Sequence, residues 1–575
     1  MAKKNKTTNL LALLVLAFLT AWASKGLFKY SYYQTHDLDH HLVRSLDAFF
    51  TLKEGHFPLR WAGTLNFGCG TPIYNFFNPL YYYLSPIFIS FLGNIIDSIK
   101  AISLLSLFFG SLFIYLWLKK ETKNSLAALT SALVYLYAPY RFVLVYVRGS
   151  PEYLAYAVAP AIFYFYCLAL DKNNKKPIFY FFLASFSGGL LSISHNVVFL
   201  LTVPVIAIYL ISKLITTKVN KKKIYLTIFS FVSIFGLGAF FLIPAFLEQK
   251  FTQIATPVFL YKDHFPILKQ LISSPWGYGD SASNVSLDAM SFRLGIAHWF
   301  TLAAGVVFLV INLIRKNKKL LEKNLLILSF TLIALLFIFL DLPISNLIWE
   351  KVTILQAIQF PWRILGIIVF ITSALGGFLL AKIKPGALSI VFFISLSFLA
   401  IFENRNHLLP QPVHEDKLEF YQNLSDLKFE NHSVTQVQDN VLAAGNLAQC
   451  SPETPIAITE TGQILDAKET ERKSSRGEIN LNIEKENIAK EKIIINLDYF
   501  PDIFVIDVNG SQIEYFDCQG KVCLSAKSFL SGKNTITWKV VQSPIQKASN
   551  AISLLFLFAW LVFTGNNLLK RELKD

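Results

Sequence analysis

The chain has 575 residues, of which 54% are hydrophobic and only 16% charged, with 52 phenylalanines and a mean hydropathy of +0.46. This composition is too apolar for a soluble domain and defines a multi-pass membrane protein. The formal net charge of +15 does not indicate a nucleic-acid partner, because Lys and Arg fall in short clusters between apolar segments, as membrane topology requires.

In chain order, apolar runs able to cross a bilayer occur near 8–26, 98–118, 125–143, 153–170, 178–194, 197–213, 224–246, 294–314, 324–342, 362–381, 386–402 and 549–568, about twelve spans in all. The first is read as uncleaved, since Ala21-Trp-Ala-Ser24 is a weak cleavage site. The segment Pro79 to Leu92, with two prolines and the run Tyr81-Tyr-Tyr83, is expected to lie along the outer surface at headgroup level. The connections Lys3–Lys6, Lys119–Lys123, Lys172–Lys176, Lys213–Lys223, Arg315–Lys323, Lys382–Lys384 and Lys570–Lys574 then share one side. Against their Lys and Arg stand only Glu121, Asp171, Glu322, Glu572 and Asp575. That bias marks the cytoplasmic face of the cell membrane, with both termini inside. Loop 27–97, Tyr146–Glu152, Ser194–Asn196, residues 247–293 and Asp341–Arg363 fall outside.

Three regions follow: a helical membrane region over 1–402 with a long first outer loop at 27–97, an outer β-rich region over 403–546, and a last helix with a cytoplasmic tail over 547–575. Within 403–546, Lys492-Ile-Ile-Ile-Asn-Leu-Asp498 and Ile503-Phe-Val-Ile-Asp-Val508 alternate as strands do, and Asn509-Gly510 is a hairpin signal. These features predict a β-sandwich. Cys518 and Cys523 bracket a second turn, Gln519 to Val522, at a spacing that permits a hairpin disulfide. Five cysteines are too few for a disulfide scaffold and show no zinc spacing. Residues 414–490 have little apolar periodicity and are expected to contain long loops.

The densest chemistry lies just after the first span, in Thr35-His-Asp-Leu-Asp-His-His-Leu-Val-Arg44. Ionisable groups beside a bilayer are costly unless they face water, each other or a ligand. Asp37 and Asp39 both suit a general base, or a ligand for a divalent cation such as Mg or Mn that holds a substrate phosphate. Asp37 also suits the N-cap of a helix from Leu38 to Lys53. On that helix Asp37, His41 and Arg44 share a face and Asp39 points elsewhere.

An acid soon after the first span, a long outer loop, a Pro-Leu-Tyr-Tyr segment and many further spans resemble the GT-C glycosyltransferases. Asp37-xxx-His41-xx-Arg44, Gly55-His-Phe-Pro-Leu-Arg-Trp61, Gly70-Thr-Pro-Ile-Tyr-Asn-Phe-Phe-Asn-Pro-Leu-Tyr-Tyr82, Arg148-Gly-Ser-Pro-Glu152, Ser194-His-Asn196 and Gln359-Phe-Pro-Trp-Arg363 more closely resemble a bacterial membrane group labelled 6-pyruvoyl-tetrahydropterin synthase-related. The GT-C resemblance implies transfer of a sugar from a polyprenyl-phosphate donor to an outer-face glycan, lipid or wall polymer. It implies Asp37 and Glu152 as catalytic acids; beside them Asp39, His41, Arg44, Arg148, His195 and Arg363 are the candidate substrate-binding residues.

Other readings stand beside these roles. Arg148 and Glu152, at i and i+4, can pair with each other. His195 suits a phosphate ligand or acid–base group as well as a hydrogen-bonded structural histidine. Arg363 suits a bidentate phosphate clamp as well as a side chain snorkelling to the interface. Pro275-Trp-Gly-Tyr-Gly279 suits a loop over a sugar or an interfacial aromatic turn. No paired acids follow the first span beyond Asp37-Leu-Asp39, which leaves metal dependence open. A transporter, flippase or scaffold for lipid-linked precursors is the competing class. A transporter calls for ionisable groups at mid-bilayer and repeated halves, neither of which the sequence displays.

Overall fold

The computed structural model describes residues 2–252, 260–427, 450–451, 453–484 and 492–572, with side chains described from 10 to 566 within them. The basic ends Lys3–Lys6 and Lys570–Lys574, and the stretch 428–449 of the expected long loops, lie outside the described side chains.

Each expected span coincides with a helix, but not with a uniform one. Among the described residues, seven helices are long and apolar enough to cross a membrane alone, or up to ten if each bent pair counts as one span. The seven are Ile95–Thr122, Glu152–Leu170, Asn196–Thr217, Ile296–Arg315, Pro361–Leu380, Ala387–Asn404 and Pro544–Asn566. The pairs are Ser125–Leu136 with Pro139–Arg148 (49°), Lys221–Leu237 with Ala239–Leu247 (59°), and Leu325–Asp341 with Pro343–Lys351 (88°). The expected count of about twelve spans is not fixed by these helices, because three of the expected segments are bent pairs and two are short. Proline disfavours helical geometry in the residue before it, and Ala138 and Leu342 are extended ahead of Pro139 and Pro343. The middle pair breaks at Gly238. Leu10–Ala23 and Pro177–Ser192 are shorter apolar helices. Pro79–Leu92 is a helix of 14 residues, about 21 Å at 1.5 Å per residue, short of a ~30 Å hydrocarbon core.

The bundle centres on Ile364–Leu380, buried along its whole length. Beside it Trp117 is ringed by Phe163, Tyr209, Phe330, Phe370 and Phe378. Arg141, 1% exposed, donates to the Ser106 carbonyl at 3.2 Å and lies 4.8 Å from the Tyr135 ring. A buried charge thus does sit within the bundle, contrary to the sequence reading, on the bent segment that follows the break at Pro139.

The C-terminal β region holds two antiparallel sheets. One pairs Ala457–Thr459, Lys492–Asp498, Lys521–Ser525 and Tyr515–Cys518 in that order; the other pairs Asp466–Arg472, Arg476–Ile483, Gly532–Val540, Phe504–Val508 and Ser511–Ile513. Strict alternation in Arg476–Ile483 and Gly532–Val540 sends Ile479, Leu481, Ile536 and Trp538 into one core with Ile493, Ile495 and Leu524 of the other sheet. The Asn509-Gly510 turn has φ of 53° and 81° and joins Val508 to Ser511, as a two-residue hairpin requires. Cys518 and Cys523 are bonded across the turn Gln519-Gly520, one residue pair tighter than the expected four-residue turn. The expected long loops of 414–490 fall partly outside the described residues; within them, helix Leu418–Ser425 and three strands also lie in this stretch. Their polar outer positions hid the alternation.

A second disulfide, Cys69–Cys450, was not legible in the sequence and closes a separation of 381 residues. It fastens the first loop to the start of the β region, where Trp61 meets Phe504 edge-on at 5.1 Å. At the same joint a Cβ on Gly63 would stand 1.9 Å from the Ser474 carbonyl oxygen, so only glycine permits the approach. Asp47, fully buried, gathers the joint: it accepts from the Thr64 amide (3.0 Å) and hydroxyl (2.5 Å), the Ser474 hydroxyl (2.9 Å), Tyr74 (2.8 Å) and Thr51 (3.3 Å).

Candidate functional site

Asp37 opens the helix Leu38–Lys53, but its side chain makes no capping bond. The carboxylate turns across to Arg148 instead, with Oδ2 accepting from Nη2 at 3.0 Å. Backbone contacts hold the two segments together: the His36 amide donates to Val147 O (3.0 Å) and the Asp37 amide to Arg148 O (2.9 Å). Gly149 makes this approach possible. Its φ is 64°, and a Cβ there would lie 2.0 Å from Thr35 Oγ1. The preceding turn, Val143–Arg148, is π-helical, a rare geometry that re-aims side chains and is frequent at functional sites.

The i, i+4 pairing of Arg148 with Glu152 is not realised. Gly149, Ser150 and Pro151 separate the two helices, and Glu152, fully buried, accepts from Tyr140 at 2.9 Å. Arg148 stacks on the Trp362 ring at 4.7 Å. Arg363 turns inward rather than outward: its Nη1 donates to Ile358 O and Gln359 Oε1, both at 3.2 Å, and its guanidinium lies 5.0 Å from the Phe360 ring. Arg148, Glu152 and Asp37 all act electrostatically on Arg363. Arg148 Nε, Arg363 Nε, Glu152 Oε2 and Trp362 Nε1 are buried without hydrogen-bond partners among the described residues, which is the donor and acceptor set a polar ligand can satisfy.

His195 caps the helix Asn196–Thr217, its Nδ1 accepting from the Val198 amide at 3.4 Å. Burial, then the charges of Arg363 and Arg148, hold its pKa well below the usual value, so it is a neutral imidazole whose Nε2 carries the proton. The cap gives His195 a structural role and leaves Nε2–H as its remaining donor. His41 is likewise neutral, pushed down to about 3 by burial and by Arg44; its Nδ1 lies 2.8 Å from the Tyr82 hydroxyl. Arg44 also reaches Tyr82, at 3.4 Å, and packs 5.0 Å from Phe77. Asp39 faces the other way, as the helix geometry predicts, binding Lys417 at 2.9 Å and the Tyr421 hydroxyl.

Asp37 and Asp39 nevertheless open onto one polar cavity of about 340 Å³, shared with Gln34, His36, Tyr278 and Asp280. Tyr278 belongs to the Pro275–Gly279 loop, and its carbonyl lies 2.8 Å from His36 Nε2. The cavity roof is set by the strand pair Tyr33–Gln34 with Gln411–Pro412. Asp37 remains 35% exposed there, and its second oxygen has no partner among the described residues. Burial works to raise its pKa, but the guanidinium of Arg148, with Arg363 behind it, outweighs it and holds the group below the usual carboxylate range. Asp37 is thus ionised and reachable. The acids do not converge on a cation: among the described residues the one group with metal-ligand spacing is Cys69, Cys450 and Asp498, whose two sulfurs are bonded to each other. Tyr278 and Trp362 lie in stretches the sequence singled out, Pro275–Gly279 and Gln359–Arg363, whereas Tyr140, Asp280 and Lys417 are marked only by their proximity in the fold.

Residues 77–237 match the family described as dolichyl-phosphate-mannose-protein mannosyltransferase. That stretch is short of half the chain; it includes Arg148, Glu152 and His195 and leaves out Asp37 and Arg363. A protein of Lactococcus lactis subsp. cremoris (strain MG1363), described as an uncharacterized protein, is 26% identical over 244 residues, which are 40% of this chain and 38% of the relative. The cryo-EM structure of the arabinofuranosyltransferase AftD from Mycobacteria aligns at 14% identity and a TM-score of 0.43, over 69% of this chain and 27% of that one. At that score the likeness transfers no residue roles. The chain therefore spans well under half the length of these relatives. The finer resemblance to the pterin-synthase-related group rests on the motifs alone.

Proposed function

We propose that the protein is a membrane glycosyltransferase of the GT-C type that moves a sugar from a polyprenyl-phosphate donor to an extracytoplasmic acceptor. The observation that carries this reading is Asp37: ionised, partly exposed, fixed through one oxygen by Arg148 and open through the other to a polar cavity. Asp37 takes the proton of an acceptor hydroxyl as that oxygen attacks the anomeric carbon. The bond to the polyprenyl phosphate breaks on the opposite face, inverting the centre. Arg363 and Arg148 hold the departing phosphate, with the His195 Nε2–H as a further donor, in a site where burial strengthens each contact. Glu152, bonded to Tyr140, balances the two arginines before the donor binds. The family match over 77–237 supports the donor class. A divalent cation is not assigned, since Asp37 and Asp39 already hold Arg148 and Lys417.

The cavity also bears on the acceptor. Asp37 and Asp39 are paired with Arg148 and Lys417, so the wall carries little net charge and favours a neutral glycan hydroxyl over an anionic polymer.

The donor assignment is tested at Arg363. Polyprenyl-phosphate sugars in detergent are expected to raise the melting temperature of the wild type by mass action. Arg363→Lys keeps the charge but loses the planar fork, and Arg363→Ala loses both. A charged hydrogen bond contributes about 1.5–3 kcal/mol, so affinity should fall about tenfold to a hundredfold, more for Ala than for Lys. Equal stabilisation of all three proteins would remove Arg363 from the phosphate site.

Sidedness is part of the proposal. A reporter fused after Lys319 is expected to read as cytoplasmic and one placed within 492–546 as external. The reverse result for either would put Asp37 on the wrong face for a lipid-linked donor presented outside.

A further inference from the structure

A second polar pocket, of about 240 Å³, opens at the other end of the bundle between Glu121, Lys323, Asn324 and Lys382, with Leu326, Ile327 and Phe378 on its apolar side. Its distance from Asp37 follows from one helix. Glu152 lies at the start of Glu152–Leu170 and Cys167 near its end, and Cys167 Sγ is 3.1 Å from Glu121 Oε2. Fifteen residues at 1.5 Å put the two places about 22 Å apart.

The charges in the pocket do not cancel. Glu121 is already neutralised, with Lys213 Nζ at 2.6 Å and the Tyr209 hydroxyl at 3.0 Å on its two oxygens. Lys382 is fixed on Asn324 Oδ1 at 2.6 Å, and Asn324 is anchored in turn on Asn312 at 2.8 Å. Lys323 stands close enough to act on Lys382 by like-charge repulsion. Among the described residues neither of these two lysines has a carboxylate partner. Two ammonium groups, one of them positioned by a buried amide chain, therefore face a shared cavity with a wet side and a greasy side.

We propose that this pocket binds a phosphate group, and that its source is the headgroup of an anionic phospholipid whose acyl chains leave past Leu326, the partly exposed apolar residue at its edge. The two lysines supply the charge, and Asn324 orients Lys382 toward the phosphate. Basic recesses between membrane helices hold anionic headgroups by this arrangement of charge beside apolar surface. The site is independent of any role for Asp37.

The test is thermal stability of the full-length protein in neutral detergent, titrated separately with phosphatidylglycerol, phosphatidylcholine and inorganic phosphate. Phosphatidylglycerol is expected to raise the melting temperature and phosphatidylcholine to leave it unchanged. Lys323→Gln and Lys382→Gln should each weaken the phosphatidylglycerol effect about fivefold, near 1 kcal/mol per lysine. Lys323→Arg and Lys382→Arg should keep it, which separates loss of charge from loss of fold. Stabilisation by inorganic phosphate at matched concentration would support the phosphate site but overturn the lipid as its source. Equal response to both lipids, or an undiminished response in the double Gln variant, would overturn the site itself.

Discussion

Asp37→Asn is expected to lower sugar transfer by about 10²–10⁴-fold, the contribution of a positioned general base, while the protein still expresses and folds. Asparagine is nearly isosteric, and its Oδ1 can still accept from Arg148. The side chain is 35% exposed, so losing the ion pair costs little stability once solvent screening is allowed for. The loss should fall on kcat, with donor affinity nearly unchanged, because the amide cannot take the acceptor proton but leaves Arg363 and Arg148 in place. The pH dependence has a definite sign. A base held below the usual carboxylate range stays ionised as pH falls into that range, so the acid limb of the transfer profile should lie below that of an ordinary aspartate. The same depressed pKa stabilises the fold above the unfolded-state value and loses that contribution as pH falls through the folded-state value. An acid limb at or above the ordinary carboxylate range would assign the base elsewhere.

Asp47→Ala is expected to produce the largest loss of stability of any change in the first loop, about 3–5 kcal/mol. The substitution removes the acceptor of a buried backbone amide and of the Thr64 and Ser474 hydroxyls, while Tyr74 and Thr51 keep the Arg44 carbonyl and Ser474. Its effect should reach the site, because Asp47 and Asp37 belong to one helical segment and the joint fixes where that segment lies. Unfolding followed by tryptophan fluorescence should show a lower melting temperature, Trp61 reporting on the interface with Phe504. Cys69–Cys450 spans the same joint, so its reduction in the Asp47→Ala background should lower the melting temperature further. An unchanged melting temperature for Asp47→Ala would mean that the disulfide alone holds the loop in place.

The membrane class and the positions of the helices follow from apolar runs, because a bilayer imposes length and composition directly on the chain. Breaks within helices were less legible. Pro139, Gly238 and Pro343 lie inside or beside runs that hydropathy alone joins smoothly, and only backbone geometry shows bends of 49° to 88°. In the site, Asp37 stood out because charge beside a membrane is costly, and its face-sharing with His41 followed from helical spacing. Its true partner was not readable. Arg148 lies 111 residues away and reaches Asp37 through a π-helical turn and the left-handed Gly149, neither of which has a sequence period. The nearer candidate, Glu152, looked right only on the assumption of a continuous helix. Asp47 was overlooked for a related reason: its donors come from Thr64, Tyr74 and Ser474, brought together by the joint between the loop and the β region. Cys450, 381 residues from Cys69, gave no hint of it.

The central claim is that Asp37 is the base of a polyprenyl-phosphate-dependent transferase, and it is tested most directly by donor turnover. Purified full-length protein, reconstituted in lipid, is incubated with a panel of radiolabelled polyprenyl-phosphate sugars and a crude outer-envelope glycan fraction, and release of polyprenyl phosphate is followed together with label in the acceptor. The expected result is that at least one donor is consumed with stoichiometric transfer by the wild type, and that Asp37→Asn binds that donor but does not turn it over. Turnover by Asp37→Asn at the wild-type rate would contradict the account.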